Sequence, residues 1–89
     1  MEASLYRQMR ELEDRHWWFK GRRAIVRSLL QRSALPQNAR ILDLGCGTGG
    51  NLEMLSGFGR VVGAELDEDA AQLAREREIA PIVRGRLPD

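Results

Sequence analysis

Ile41-Leu42-Asp43-Leu44-Gly45-Cys46-Gly47-Thr48-Gly49 is the stretch that decides how this chain folds. Four mostly apolar residues, 41–44, run straight into glycines, the pattern of a buried parallel strand that ends in a tight turn. Gly45, Gly47 and Gly49 alternate, and Gly50 follows. Glycines so placed permit positive φ and let the backbone approach a ligand with no Cβ in the way. The helix expected next presents unpaired N–H groups and a partial positive charge at its start. Such a turn can hold a phosphate or a carboxylate.

Downstream, a short helix is expected over residues 51–56, with Gly57 near its C-terminal end. Val61-Val62-Gly63-Ala64 reads as a second apolar, β-branched strand. Asp67 can cap a helix over 68–78 that carries Ala70, Ala71, Leu73 and Ala74, and Pro81-Ile82-Val83 reads as a weak third strand. Upstream, residues 4–19 are rich in Glu, Arg, Leu and Met and predict a helix with Ser4 as its N-cap. Gly21 is expected to interrupt it. A second helix is expected over 22–32, where Ile25, Val26, Leu29 and Leu30 share one face, and Pro36-Gln37-Asn38 then makes a loop. The order helix, helix, β-α-β-α-β implies right-handed crossovers and a doubly wound sheet. The expected fold is α/β: a three-layer, Rossmann-like parallel sheet, partial, made of its first three strands and preceded by two N-terminal helices.

The 89 residues suffice for one domain, and 43% hydrophobic with 30% charged residues is the balance of a soluble globular chain. Lys and Arg total 14 against 13 for Asp and Glu, a net charge of +1, so no global field favours nucleic acid or an anionic membrane. The single cysteine, Cys46, excludes an internal disulfide and a Cys-based metal site and points to a reducing, cytoplasmic setting. No apolar run approaches the roughly 20 residues that span a bilayer. The first residues, Met1-Glu2-Ala3-Ser4-Leu5-Tyr6-Arg7, lack the apolar core of a signal peptide.

Glu65 falls at the end of the second expected strand, 20 residues beyond Gly45. Adjacent strand ends open on the same edge of a doubly wound sheet, where an acid can accept both hydroxyls of a ribose. A glycine loop with an acid at this separation reads as recognition of a nucleoside attached to something charged. A mononucleotide P-loop needs Lys-Ser or Lys-Thr after its last glycine, and Gly50-Asn51 supplies neither. Gly45-x-Gly47-x-x-Gly50 does satisfy the dinucleotide pattern, but Asp43 sets a carboxylate beside the place of a pyrophosphate. A zwitterionic amino-acid tail suits that position better, since its ammonium can pair with Asp43.

Residues 41–49 resemble the first motif of the class I S-adenosylmethionine (SAM)-dependent methyltransferases, and Val62-Gly63-Ala64-Glu65-Leu66-Asp67 resembles their second. Glu13-Asp14-Arg15-His16-Trp17-Trp18-Phe19-Lys20-Gly21-Arg22-Arg23 resembles a lead-in found in many members of the methyltransferase-domain superfamily. The resemblance implies that SAM is the cofactor and that a methyl group passes to an acceptor. It implies that Asp43 serves the SAM amino group, that Gly45, Cys46, Gly47 and Gly49 form the loop around the methionyl and ribose part, that Glu65 holds the ribose hydroxyls and that Leu66 packs on adenine. It divides the chain into an N-terminal helical segment, 1–35, and a truncated SAM-binding Rossmann-like domain, 36–89. Residues 83–89 resemble the segment after strand three, from which the family continues into an adenine-contacting acidic loop and further strands. The acceptor site is therefore expected outside these residues, and no catalytic residue is assigned.

Plainer roles are expected for the other residues that stand out. Asp67 is a helix cap, Cys46 a small residue filling a crowded loop, and His16 structural or exposed. Trp17, Trp18 and Phe19 are expected to anchor the N-terminal helices on the sheet, with stacking on a ligand as the alternative. Arg22 and Arg23 read as a solvated helix start that could instead reach a carboxylate. Two competing functions remain: a non-catalytic truncated SAM-binding fragment, and a dinucleotide-binding domain. Three strands leave an unpaired sheet edge and poorly covered apolar faces, so self-association is expected.

Overall fold

The computed structural model describes residues 3–85. Its elements are α1 (Ala3–Arg15), α2 (Trp17–Arg32), β1 (Arg40–Leu44), α3 (Leu52–Ser56), β2 (Arg60–Glu65), α4 (Glu68–Glu76) and β3 (Ile82–Arg84). The strands form one parallel sheet in the order β1-β2-β3. Ile41 pairs with Val61, Leu44 with Ala64, and Asp43 lies opposite Gly63, which in turn lies opposite Ile82.

The two-residue period of a strand sorts these side chains between two faces. Ile41, Asp43, Val61, Gly63 and Ile82 share one face, and there Leu52, Val61, Ala71, Ala74 and Ile82 form the core with Ile41, Cys46, Leu55, Ile79 and Ala80 against it. Two right-handed crossovers that advance in the same direction put α3 and α4 on this one side. Ala70, Ala71 and Ala74 are fully buried, and their small side chains let α4 lie close to the sheet. The opposite face carries Leu42, Leu44 and Val83, which are 56%, 46% and 50% exposed.

Asp67 caps α4 as expected: Oδ1 accepts the N–H groups of Asp69 at 2.9 Å and Ala70 at 3.2 Å. The helix ends two residues before the expected Glu78, because Arg77 is its C-cap and Glu78 turns to φ 55°. The N-terminal half departs further from expectation. The break between helices falls at His16, and Gly21 sits inside α2. His16 is extended, with φ −73° and ψ 135°, and its Nδ1 accepts the Trp18 N–H at 3.2 Å, so it starts α2 as an N-cap. A capping side chain outweighs one glycine, whose cost within a helix is only about 1 kcal/mol. Ser4 lies inside α1, which begins at Ala3. Ile25, Val26 and Leu29 are exposed and Leu30 half-buried, so the apolar face of α2 does not enter the core. Of residues 83–89, Arg86, Leu87, Pro88 and Asp89 lie outside the described residues, as do Met1 and Glu2.

Gly59 marks the tightest backbone contact at the entry to β2. The Ala39 carbonyl accepts the Arg60 N–H at 2.9 Å, and a Cβ on Gly59 would run into that same carbonyl. Gly59→Ala is expected to lower stability by about 1–3 kcal/mol. The check is a lowered urea midpoint at unchanged slope; an unchanged midpoint would show that the strand entry has room.

Candidate functional site

The site forms where β1 gives way to the glycine loop. Gly45, Gly47 and Gly49 take φ of 64°, 58° and 86°, the left-handed region that favours glycine. A Cβ on Gly45 or Gly47 would meet no atom within 4 Å, so both face open space. Gly49 is different: a Cβ there would press on Leu52 Cδ1 at 2.9 Å, Arg77 Cδ at 3.1 Å and Ala74 Cβ at 3.2 Å. Gly49 therefore seats the loop on the core, and Gly45 and Gly47 shape its outer surface.

Glu65 ties this loop to the end of β2. Its Oε1 accepts the Gly47 N–H at 2.8 Å and its Oε2 accepts the Asp67 N–H at 3.0 Å. Each oxygen of a carboxylate has two acceptor positions, so each retains one for another donor. Asp43 sits half-buried beneath the loop, and its Oδ2 is a buried acceptor without a partner among the described residues. Burial first, and the Glu13 carboxylate second, hold the Asp43 carboxyl above its usual range. Burial and the nearby Asp43 and Glu65 charges push the Cys46 thiol up to about 11, so it stays protonated at neutral pH.

Asp43, Gly45, Cys46, Gly47 and Glu65 thus come together as the sequence predicts. Leu66 follows Glu65 and is 53% exposed at the rim. A recess of about 290 Å³ opens beside the loop, lined by Gly45, Cys46 and Gly47 and, from the helices, by Glu13, Phe19 and Arg22 among others. Phe19 is the one member of the aromatic run that packs here. Trp17 is 75% exposed and stacks on the His16 ring, and Trp18 lies under the Arg22 guanidinium at 5.0 Å. The two tryptophans do not anchor helices on the sheet, because the His16 break turns the start of α2 outward. Arg22 and Arg23 lie within α2 and line the recess, which corrects their reading as a helix start. Among the described residues, no group of three or more His, Cys, Asp or Glu side chains is placed to hold a metal ion.

Sequence reasoning missed Thr48 and Arg77 and gave Glu13 no role. Thr48 is 1% exposed and its hydroxyl donates to Glu13 Oε1 at 2.9 Å. Arg77 Nε donates to the Thr48 carbonyl at 2.6 Å and Arg77 Nη1 pairs with Asp14 at 3.0 Å. Only Glu13-Asp14, within the lead-in to the aromatic run, gave any signal of this.

Residues 42–87 match the family model described as a methyltransferase domain. A trans-aconitate 2-methyltransferase of Variovorax paradoxus is 42% identical over 67 residues, which are 72% of this chain and 25% of that protein. Among solved structures, Streptomyces venezuelae DesVI is 30% identical with a TM-score of 0.69, matching 96% of this chain and 36% of DesVI. SAM-bound CalS10, an amino pentose methyltransferase from Micromonospora echinaspora, is 29% identical with the same TM-score and coverage. The chain spans a quarter of the curated relative and about a third of these solved chains.

A raised carboxyl pKa in the folded state has a definite sign. The stability Asp43 contributes is present below its unfolded pKa and is lost as pH rises through the higher folded value. Asp43→Asn is therefore expected to raise the melting temperature of the ligand-free chain at pH 7, with the gain shrinking toward acid. A lower melting temperature at pH 7 would show that the ionised carboxylate is favourably held.

Proposed function

The chain belongs to the methyltransferase-domain family, and from that premise we propose that it forms the cofactor-binding part of a SAM-dependent methyltransferase. The observation that carries this reading is the partnerless buried Asp43 Oδ2 beneath a glycine loop whose outer surface faces open space. A buried acceptor of this kind fits an ammonium donor, and Gly45 and Gly47 leave room for the chain that bears it. Glu65 retains one acceptor position on each oxygen for a pair of hydroxyls, and exposed Leu66 offers apolar area to a ring. The neutral Cys46 thiol fills the underside of the loop. Asp43 and Glu65 together bias the site toward a cationic ligand.

Bound SAM supplies a methyl group made electrophilic by its sulfonium. The residues present have three tasks: to hold the amino-acid tail, to fix the ribose, and to keep the loop rigid. Alignment of this kind is a large part of what a transfer between bound partners requires. In this reading residues 36–89 are the cofactor-binding domain and residues 1–35 a helical segment laid over its loop. A dinucleotide fits less well, because its pyrophosphate would face the same carboxylates. A cytoplasmic setting is part of the proposal, supported by the single thiol in the sequence. Self-association is also part of it, supported by the exposed Leu42, Leu44 and Val83.

Calorimetric titration with SAM and with NAD tests the cofactor. SAM is expected to bind in preference to NAD, Glu65→Gln to weaken SAM about tenfold or more, and Gly47→Val to abolish binding. Preference for NAD, or retained affinity in Gly47→Val, would overturn the assignment. Sedimentation tests the second point: the chain is expected to associate with rising concentration, and Leu42→Thr with Val83→Thr to reduce it. A monomer at all concentrations would remove that part of the proposal.

A further inference from the structure

Helix α1 docks by its polar face. Arg10, Glu13 and Asp14 lie on one side of the helix, at the spacing that brings residues over one another. Arg10 pairs with Glu76 at 3.1 Å, Glu13 accepts the Thr48 hydroxyl at 2.9 Å, and Asp14 pairs with Arg77 at 3.0 Å. Leu5 and Leu12 are left exposed. The grip of α1 is therefore a set of directed polar contacts, and their centre is the glycine loop. Thr48 is held from two sides, with its side chain bonded to Glu13 and its carbonyl to Arg77 Nε.

A separate observation places Glu13 at the same loop. A Cβ built on Gly50 would run into the Glu13 carboxylate, so the bare Cα of Gly50 is what admits that side chain. Gly50 does not take positive φ, so its lack of a side chain is used for this contact. A Cβ on Gly45 or Gly47 would meet nothing within 4 Å, so no side chain packs over them, and Gly47 is held through its N–H by Glu65 Oε1 at 2.8 Å. Thr48, the next residue along, is a second point at which the loop is held.

We propose that Glu13 is a positioning residue for cofactor binding: its hydrogen bond from Thr48, made against the bare Cα of Gly50, fixes the glycine loop in its ligand-accepting shape. Arg77 completes the clamp from α4, and Asp14 orients Arg77. The proposal rests on the cofactor reading above for the identity of the ligand, and on the described contacts alone for the clamp.

Two readouts on the full 89-residue chain test it. Backbone amide exchange over residues 47–51, measured without cofactor, reports the loop, and calorimetry with SAM reports affinity. Glu13→Ala and Thr48→Val are each expected to speed loop exchange and weaken SAM about tenfold, the weight of one hydrogen bond. The double variant is expected to be no worse than either single one, because both remove the same bond. Glu13→Gln keeps an acceptor oxygen and is expected to stay within about twofold of the parent chain on both readouts. Gly50→Ala, which displaces Glu13 without altering it, is expected to behave as Glu13→Ala does.

Unchanged loop exchange in Glu13→Ala would overturn the proposal. So would additive losses in the double variant, or a Gln variant as weak as the Ala one. If Glu13→Ala does not melt cooperatively, Thr48→Ser against Thr48→Val decides, since only Ser keeps the hydroxyl. A parent chain that fails to bind SAM would overturn the cofactor reading, and the ligand-free exchange measurement would still decide the clamp.

Discussion

The Glu65 carboxylate is the contact on which the site depends. One oxygen takes the N–H of Gly47 and the other that of Asp67, so a single side chain joins the glycine loop to the turn that starts α4. Hydrogen bonds to a charged acceptor are about twice as strong as neutral ones. The geometry is available only because β1 and β2 are parallel neighbours in register, with Leu44 opposite Ala64. Cys46 continues that ladder by donating its N–H to the Ala64 carbonyl at 3.0 Å, which sets the start of the loop before Glu65 engages it.

Near that centre Asp43 is held at a cost. Burial raises the cost of Asp43 in its ionised form, and the Glu13 carboxylate adds to it. A fold selected only for its own stability would not keep a buried carboxylate oxygen, Asp43 Oδ2, without a partner among the described residues. The cost becomes intelligible if a positively charged group arrives to offset it, which is the pattern expected where stability is traded for binding.

Much of this was legible in residues 41–66. Strand-to-glycine transitions and acids at strand ends are local features, so Asp43, Gly45, Gly47 and Glu65 could be picked out as candidates from their spacing and from the resemblance of the two motifs. The cap at Asp67 was legible for the same reason. In the N-terminal third the two helices were legible, but the place of the break between them was not. His16 breaks the helix because its ring nitrogen can reach an N–H two residues on, a competition that composition does not reveal. The exposure of Trp17 and of the apolar face of α2 depends on the direction in which that break sends the chain. Thr48, Arg77 and Glu13 meet only after folding, since Glu13 and Thr48 are 35 positions apart in the chain. No periodicity encodes such a meeting.

That separation bears on the order in which the molecule assembles. Arg10 and Glu76 are 66 residues apart, and Asp14 and Arg77 are 63 apart, so these two ion pairs join distant parts of the chain. Closing loops of that length costs entropy before any contact repays it, whereas the β1-α3-β2 segment can condense through nearer neighbours. The first helix of the sequence is therefore tied down by contacts with distant parts of the chain, and through Glu13 the glycine loop draws support from a residue far from it in sequence.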